Sequence, residues 1–372
     1  MLGQGREGIA PEDEALYRCE LASAAMAVGD EETAFRALDG ASRIMGPLES
    51  TSAENARAIF GQESTKTWKG DPYERCMNAL YKGLLYWRRG DLDNASACFK
   101  RGLLADGWSE AGEHQRDFEA LAYLLGWVSA LRGEPEQAAF SFREAAELRP
   151  GNPWLVEARP DRFNVLVVAD IGRGPFKYAD GADGSLVRFA RPPSEERGIE
   201  ILVDGVPMGR SEPATDLTYQ AITRGKRVLD GIRAGKAVFK TGTAVAGIIV
   251  LDEGLRKNKG ELVALGAGLL LLSVLTRAEA DTRCWVQLPA EIHVLPLSID
   301  PGRRRLTVRA LAADGAPIPG WERDFEVEVP PSPDTVYWFR TGLNRRIFGL
   351  TGPVAPAEPI AAPEPPAARP LQ

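Results

Sequence analysis

The sequence predicts an α+β protein, with helical repeats first and an antiparallel β domain second, into which a glycine-rich helical hairpin is inserted. Three observations predict this class. A glycine followed by an acidic residue recurs in the first 150 residues, short alternating runs follow residue 160, and two apolar segments interrupt these runs. The predicted divisions are a helical domain at 12–152, a β domain at 160–345 with inserted helices at 215–280, and a disordered tail at 346–372.

The glycine–acid pairs begin at Gly29, Gly90 and Gly133. Small or apolar residues stand five, nine and twelve positions after each glycine: Ala34, Leu38 and Ala41; Ala95, Phe99 and Gly102; Ala138, Phe142 and Ala145. A glycine there ends the first helix of a pair, and small residues let the second helix pack closely. This is the helix–turn–helix pattern of a tetratricopeptide repeat (TPR). Such repeats are typically surfaces that hold other proteins, so we expect a partner in their concave groove.

The pattern places helix pairs at 12–46, 72–104 and 117–149, with a further candidate helix at 54–60. Gly83 and Gly126 occupy equivalent columns of the second and third pairs. Because glycine has no side chain to separate two backbones, we expect both residues to mark close helix–helix contacts.

The second half reads as strands at 163–169, 185–191, 199–203, 305–312, 323–329 and 335–340. Asp204-Gly205 fits a type I′ hairpin turn, which requires positive φ. In the run 323–329, Phe325, Val327 and Val329 fall on one face and the acidic residues between them on the other. The final residues are rich in proline and predict a disordered tail.

Between the strand groups, residues 215–240 read as a basic helix with six cations: Arg224, Lys226, Arg227, Arg233, Lys236 and Lys240. Two apolar segments follow, at 243–251 and 262–275, and predict a helical hairpin. The longer segment has 14 residues. At a rise of 1.5 Å per residue it would span about 21 Å, which is short of the roughly 30 Å hydrocarbon core of a bilayer.

Three arrangements of this hairpin are consistent with its length. It packs against the sheet or the repeats as a buried pair, or inserts shallowly into a membrane while the basic helix contacts anionic lipid. Alternatively, hairpins of two chains associate through their small residues, Gly242, Gly247, Gly266 and Gly268.

Composition argues against several kinds of site. The net charge of −7 disfavours nucleic acid as a partner, because neutralising phosphates requires an excess of Lys and Arg. The four cysteines lack metal-ligand spacing, and the two histidines, His114 and His293, stand alone. No catalytic sequence motif is present either. We therefore predict a protein that is not an enzyme, with no catalytic, cofactor-binding or metal-ligating residue.

Two passages carry a family resemblance. Residues 65–106 contain the stretch GDPYER, from Gly70 to Arg75, which opens the second helix pair. Residues 277–294 contain ADTRCW, which follows the apolar hairpin. Both passages, and their order along the chain, resemble a poorly characterised family of bacterial TPR proteins described as cell-envelope lipoproteins.

The resemblance implies a scaffold of the bacterial cell envelope that binds a protein or peptide partner. It also singles out seven residues, which either join the repeats to the sheet or contact the partner: Asp71, Tyr73, Glu74, Arg75, Asp281, Arg283 and Trp285. The alternative function is association with a membrane surface through residues 215–275 and the six cations. The resemblance implies a location in the cell envelope, either periplasmic or membrane-associated. The chain as it begins has no signal peptide or lipidated cysteine, so we expect the cytoplasm instead if Met1 is the true start.

Overall fold

The computed structural model describes residues 9–46, 67–107, 118–148, 159–180, 186–224 and 281–352. Within these residues the chain forms seven α-helices and eleven strands, which confirms the α+β class. Two short 3-10 helices, Pro11–Asp13 and Leu343–Arg345, complete the regular structure of this part of the chain.

Six of the helices form three consecutive pairs, and each pair is joined by a short turn. The helices are α1 (Glu14–Val28), α2 (Glu31–Met45), α3 (Pro72–Arg88), α4 (Leu92–Gly107), α5 (Glu119–Leu131), α6 (Pro135–Leu148) and the separate α7 (Leu217–Arg224). The three predicted pairs are therefore present with nearly the predicted bounds. The candidate helix at 54–60 lies outside the described residues.

The glycines of the helical region adopt the roles that their spacing predicts. Gly29, Gly90 and Gly133 lie in the turns and have φ of +83°, +76° and +75°, a region that favours glycine. A Cβ added to Gly83 would lie 2.3 Å from the Phe99 ring, and one added to Gly126 would lie 2.8 Å from the Phe142 ring. The close contacts predicted at Gly83 and Gly126 are confirmed.

The strands are β1 (Val165–Ile171), β2 (Phe176–Asp180), β3 (Leu186–Ala190), β4 (Gly198–Val203), β5 (Val206–Arg210), β6 (Glu212–Asp216), β7 (Glu291–Leu297), β8 (Gly302–Leu311), β9 (Pro317–Val329), β10 (Thr335–Gly342) and β11 (Arg346–Leu350). A central sheet has the order β11-β10-β1-β7-β6, and an outer sheet has the order β5-β4-β8-β9. Strands β2 and β3 form a two-stranded ribbon.

The prediction of an antiparallel β domain is only partly correct, because β1 and β10 pair in parallel, with Val165 opposite Thr335. Every residue of β1 is buried. Burial on both faces is typical of strands in parallel pairs, and the alternation of residues along a strand does not specify its direction. The central sheet is therefore mixed, whereas the pairs within the outer sheet are antiparallel.

Two details of the outer sheet agree with the sequence. The turn between β4 and β5 has positive φ at both Asp204 (+50°) and Gly205 (+84°), as a type I′ turn requires. On β9, Phe325, Val327 and Val329 are buried, while the acidic residues between them are exposed. These features are local, so a short stretch of sequence is enough to specify them.

The described residues pack as three layers. One face of the central sheet, including Val168 and Trp338, packs against the helices. The other face, including Val167 and Phe339, packs against the apolar face of the outer sheet. The central sheet thus separates two cores, which we call the helix–sheet core and the sheet–sheet core.

The bounds of two predicted segments change. Residues 215 and 216 belong to β6 rather than to the basic helix, and the described helix α7 ends at Arg224. The other five cations of that helix and the apolar hairpin lie outside the described residues. Residues 346–350, predicted to begin the tail, form β11, because Ile347 and Leu350 bury their side chains against the domain.

Candidate functional site at the junction of the helices and the sheet

The GDPYER stretch forms the start of α3. Pro72 is in the first turn, where its missing N–H costs nothing. Asp71 caps the helix, and the Asp71 backbone N–H donates to Glu74 Oε2 at 2.6 Å. This capping box fixes the direction of the chain as it enters the helix. Arg75 braces the same turn by donating from Nε to the carbonyl oxygens of Lys69 and Gly70.

Residues 281–285 of the ADTRCW stretch lie directly against this helix start. The backbone N–H of Trp285 donates to Glu74 Oε1 at 2.6 Å, so the two stretches are joined by one buried carboxylate. The indole Nε1 of Trp285 donates to Ser23 Oγ of α1 at 2.9 Å. The ring also lies against Tyr81 of α3 in an edge-on contact. The structure thus brings together two motifs that are more than 200 residues apart.

Arg283 anchors the segment a second time. Its guanidinium donates to Asp281 and, from Nη1 at 2.8 Å, to Asp13 just before α1. Burial acts to lower the pKa of Arg283, but the hydrogen bonds that its guanidinium donates to Asp281 and Asp13 outweigh it and raise that pKa. Lys177 of the ribbon pairs with Asp71 at 2.9 Å and ties the ribbon to the same place.

Three buried acids at the junction have raised pKa values. Burial raises the pKa of Glu20 to about 8, of Glu74 to about 7 and of Asp170 to about 6. Glu20 Oε1 accepts from the backbone N–H of Val286 at 2.8 Å, and Asp170 Oδ2 accepts from the Tyr81 hydroxyl at 2.5 Å. These acids join the helices to the sheet and to the 281–290 segment. Because they are buried, their ionised forms carry a desolvation cost.

A second set of hydrogen-bonded polar side chains joins the central sheet to the outer sheet. Ser211 Oγ lies 3.1 Å from His293 Nδ1, and His293 Nε2 lies 3.0 Å from Glu291 Oε2. Burial opposes ionisation of Glu291, but His293 and Arg191 lower its pKa to about 2. Ser211 Oγ also accepts from the Ile199 N–H, and both Ser211 and His293 are buried. We therefore interpret these hydrogen bonds as a structural link between β4, β6 and β7 and assign them no catalytic role.

The site residues predicted from the sequence divide into two groups. Tyr73, Glu74, Arg283 and Trp285 are buried by the chain itself, so their side chains join the layers and are not placed to touch a partner. Asp71 and Asp281 are partly exposed but are engaged in ion pairs with Lys177 and Arg283. Arg75 differs, because its side chain also lines a surface pocket between α2, α3 and α4.

Sequence reasoning missed Glu20, Asp170 and Lys177 as members of the junction. Each lies in an otherwise ordinary helix or strand pattern, and their neighbours come from distant parts of the chain. The charge of Asp170 near the end of an apolar strand was the one sequence feature that could have indicated a member of the junction. Of the six predicted membrane-contact cations, only the backbone of Arg224 falls within the described residues, at the end of α7.

The face of the helices expected to hold a partner is occupied. Hydrogen bonds join α1 to the 281–290 segment, α3 to the chain just before β10, and α5 to the central sheet. The Val286 N–H donates to Glu20, Trp87 Nε1 to the Asp334 carbonyl, and the Ala120 N–H to Thr215 Oγ1. Trp87 and Trp127 are buried beneath this contact. The groove formed by these three helices is thus filled by the chain's own second half.

Comparison with protein-family models and with curated proteins found no match to this chain. Among the described helices, none combines the length and the hydrophobicity needed to cross a lipid bilayer. The described part of the chain likewise contains no cluster of three or more His, Cys, Asp or Glu side chains arranged to hold a metal ion.

Proposed function

We propose that this protein is a non-enzymatic interaction scaffold whose TPR-like helical layer binds a protein or peptide partner. Two features support the repeat assignment: each first helix ends at a glycine with positive φ, and Gly83 and Gly126 lie against the Phe99 and Phe142 rings. The family resemblance supports a place in the bacterial cell envelope.

One observation favours a particular face for the partner. The odd-numbered helices α1, α3 and α5 are covered by the chain's own sheet, which leaves the outward helices α2, α4 and α6. Leu104 on α4 and Phe140 on α6 are 53% and 52% exposed there. Aromatic side chains are enriched among the residues that anchor protein–protein interfaces. We therefore place the partner on the outward face instead of in the groove.

Site-specific photocrosslinking tests this proposal. A photoreactive phenylalanine analogue replaces Leu104 or Phe140 in the full chain, and Val206 in the β4–β5 hairpin, which is 60% exposed, serves as the matched control. We expect one and the same protein to be captured from positions 104 and 140 and not from 206. Equal capture at position 206 contradicts the proposal. So does the absence of capture at positions 104 and 140 when thermal unfolding shows that the labelled chain is folded.

Association with a membrane surface is the second candidate, and one observation favours it. Tyr219 and Ile222 lie one turn apart on α7, within the first part of the predicted basic helix, and are 46% and 43% exposed. An aromatic and an aliphatic side chain on one face suit the interfacial region of a bilayer.

Flotation with anionic vesicles at low salt tests this candidate. We expect the full chain to float and a Tyr219→Ser, Ile222→Ser variant to float several-fold less, whereas Tyr178→Ser on the ribbon changes nothing. Failure of the unmodified chain to float rejects the candidate.

A further inference from the structure

A small pocket lies between the outward helices α2 and α4, with α3 at its base. Its polar lining comes from Ser42, Arg75, Asn78, Lys82, Cys98 and Arg101. The cavity volume is about 40 Å³. A cavity needs about 10–15 Å³ of such volume to hold one water molecule, so the pocket has room for a small polar group.

Two arginines direct unused donors at this pocket. Arg75 uses Nε to brace the turn before α3, and among the described residues its two Nη groups have no hydrogen-bond partner. Arg101 uses Nη2 to reach the carbonyl oxygens of Ser42 and Gly46 at 3.4 and 3.2 Å, and its other nitrogens make no hydrogen bond within the described ranges. The third cation, Lys82, donates to Asp39 at 2.6 Å.

The acids near these cations are already engaged. Asp39 pairs with both Lys82 and Arg43, and Asp71 pairs with Lys177. Burial lowers the pKa of Arg75, and the positive charge of Arg101 acts in the same direction against the opposing effect of Asp71. Two guanidinium groups therefore face one pocket with no carboxylate of the described residues to neutralise both.

A purely structural reading accounts for part of this arrangement. The contacts of Arg101 cap the carbonyl end of α2, and the contacts of Arg75 fix the turn. Those roles use one nitrogen of each guanidinium. They leave the remaining N–H groups, which match the two oxygens of a carboxylate in spacing and charge.

The geometry points to a carboxylate-binding pocket formed by Arg75 and Arg101, with Lys82 at its side, for an Asp or Glu side chain or a chain terminus of the partner. This inference rests on the proposed function, since it specifies the chemistry of the partner that the outward face would hold.

Titration of the full chain with sodium acetate tests the pocket, with arginine nitrogens labelled by ¹⁵N and sodium chloride at equal ionic strength as the reference. We expect the Nε–H signals of Arg75 and Arg101 to shift saturably with acetate. In Arg75→Gln or Arg101→Gln the apparent dissociation constant should rise at least tenfold. Arg36→Gln, which removes an exposed arginine of α2 paired with Glu32, should leave it unchanged.

Shifts that grow linearly, or that chloride reproduces, overturn the inference, and so does binding that persists in both glutamine variants. Saturation by inorganic phosphate but not by acetate shows that the carboxylate assignment is wrong. The titration of the unmodified chain decides the matter even if a variant loses stability. Failure of the proposed function is seen separately, because acetate can bind while crosslinking from positions 104 and 140 captures nothing.

Discussion

The two faces of the central sheet are stabilised by different kinds of interaction. The sheet–sheet core is built from aliphatic and aromatic side chains such as Val167, Val308 and Phe339, and its buried polar contacts include the hydrogen bond of Ser211 with His293. The helix–sheet core contains comparable apolar residues, but buried acids and their hydrogen bonds run through it, notably Glu20, Glu74 and Asp170. Apolar packing is insensitive to pH and needs no specific partner, whereas buried ionisable groups make the helix–sheet contact both specific and dependent on protonation.

Phe339→Ala gives the largest effect in the comparison. Its ring is fully buried in the sheet–sheet core and lies 5.1 Å from the ring of Phe325. Deleting it should lower the free energy of unfolding by about 3–5 kcal/mol, because a large cavity replaces the ring. Urea denaturation at pH 5 and pH 8 should give the same loss. A loss that differs between the two pH values would show that this core is also coupled to ionisation.

Glu20→Gln tests the helix–sheet core by a pH dependence. Burial raises the pKa of Glu20 from its usual 4.5 to about 8 in the folded chain. The folded state therefore retains a proton that the unfolded state releases above pH 4.5. As a result, the free energy of unfolding falls as the pH rises from about 4.5 to 8 and does not fall further at higher pH. Glutamine keeps one oxygen for the Val286 N–H and cannot ionise.

The variant should therefore be about 2–4 kcal/mol more stable than the unmodified chain at pH 8 and nearly equal to it at pH 5. Urea unfolding at both pH values measures this, with the exposed Glu32→Gln of α2 as the control. Equal effects of Glu20→Gln at both pH values would mean that Glu20 does not hold its proton in the folded chain.

What the sequence could predict follows the same division. Features set by neighbours along the chain were predictable, such as the turn at Asp204-Gly205, the alternation of β9 and the contact of Gly83 with Phe99. These depend on local backbone geometry and on periodic spacing, which a single sequence displays.

The junction could not be predicted because its pairs are distant in sequence. Glu20 meets Val286, and β1 lies parallel to β10, although no local pattern specifies either neighbour. The sequence did single out GDPYER and ADTRCW, but it left open whether they join layers or face a partner. Tyr73, Glu74 and Trp285 are buried between the layers, whereas Arg75 is partly exposed and lines a pocket, a difference that the sequence could not reveal.

Trp285→Phe should have an effect of intermediate size. It keeps the ring against Tyr81 but removes the 2.9 Å hydrogen bond from Nε1 to Ser23 Oγ in the helix–sheet core. We expect a loss of about 1 kcal/mol, which is the usual net contribution of such a bond. Thermal and urea unfolding measure it. Trp321→Phe, whose Nε1 bond to Arg346 O in the sheet–sheet core is 3.4 Å long, should lose less, and the reverse order would contradict the difference drawn between the cores.

Arg309→Gln should have the smallest effect, because its charge lies on the solvent side of the outer sheet. Arg309 Nε donates to Glu322 at 2.8 Å across β8 and β9, with both side chains partly exposed. Water and salt screen such pairs, so we expect a loss under about 0.5 kcal/mol that shrinks further in 0.5 M salt. Urea unfolding at low and high salt measures it. A loss above about 1 kcal/mol would mean that surface charge on the outer sheet contributes to stability as the buried acids of the junction do. The contrast between the two sides of the molecule would then fail.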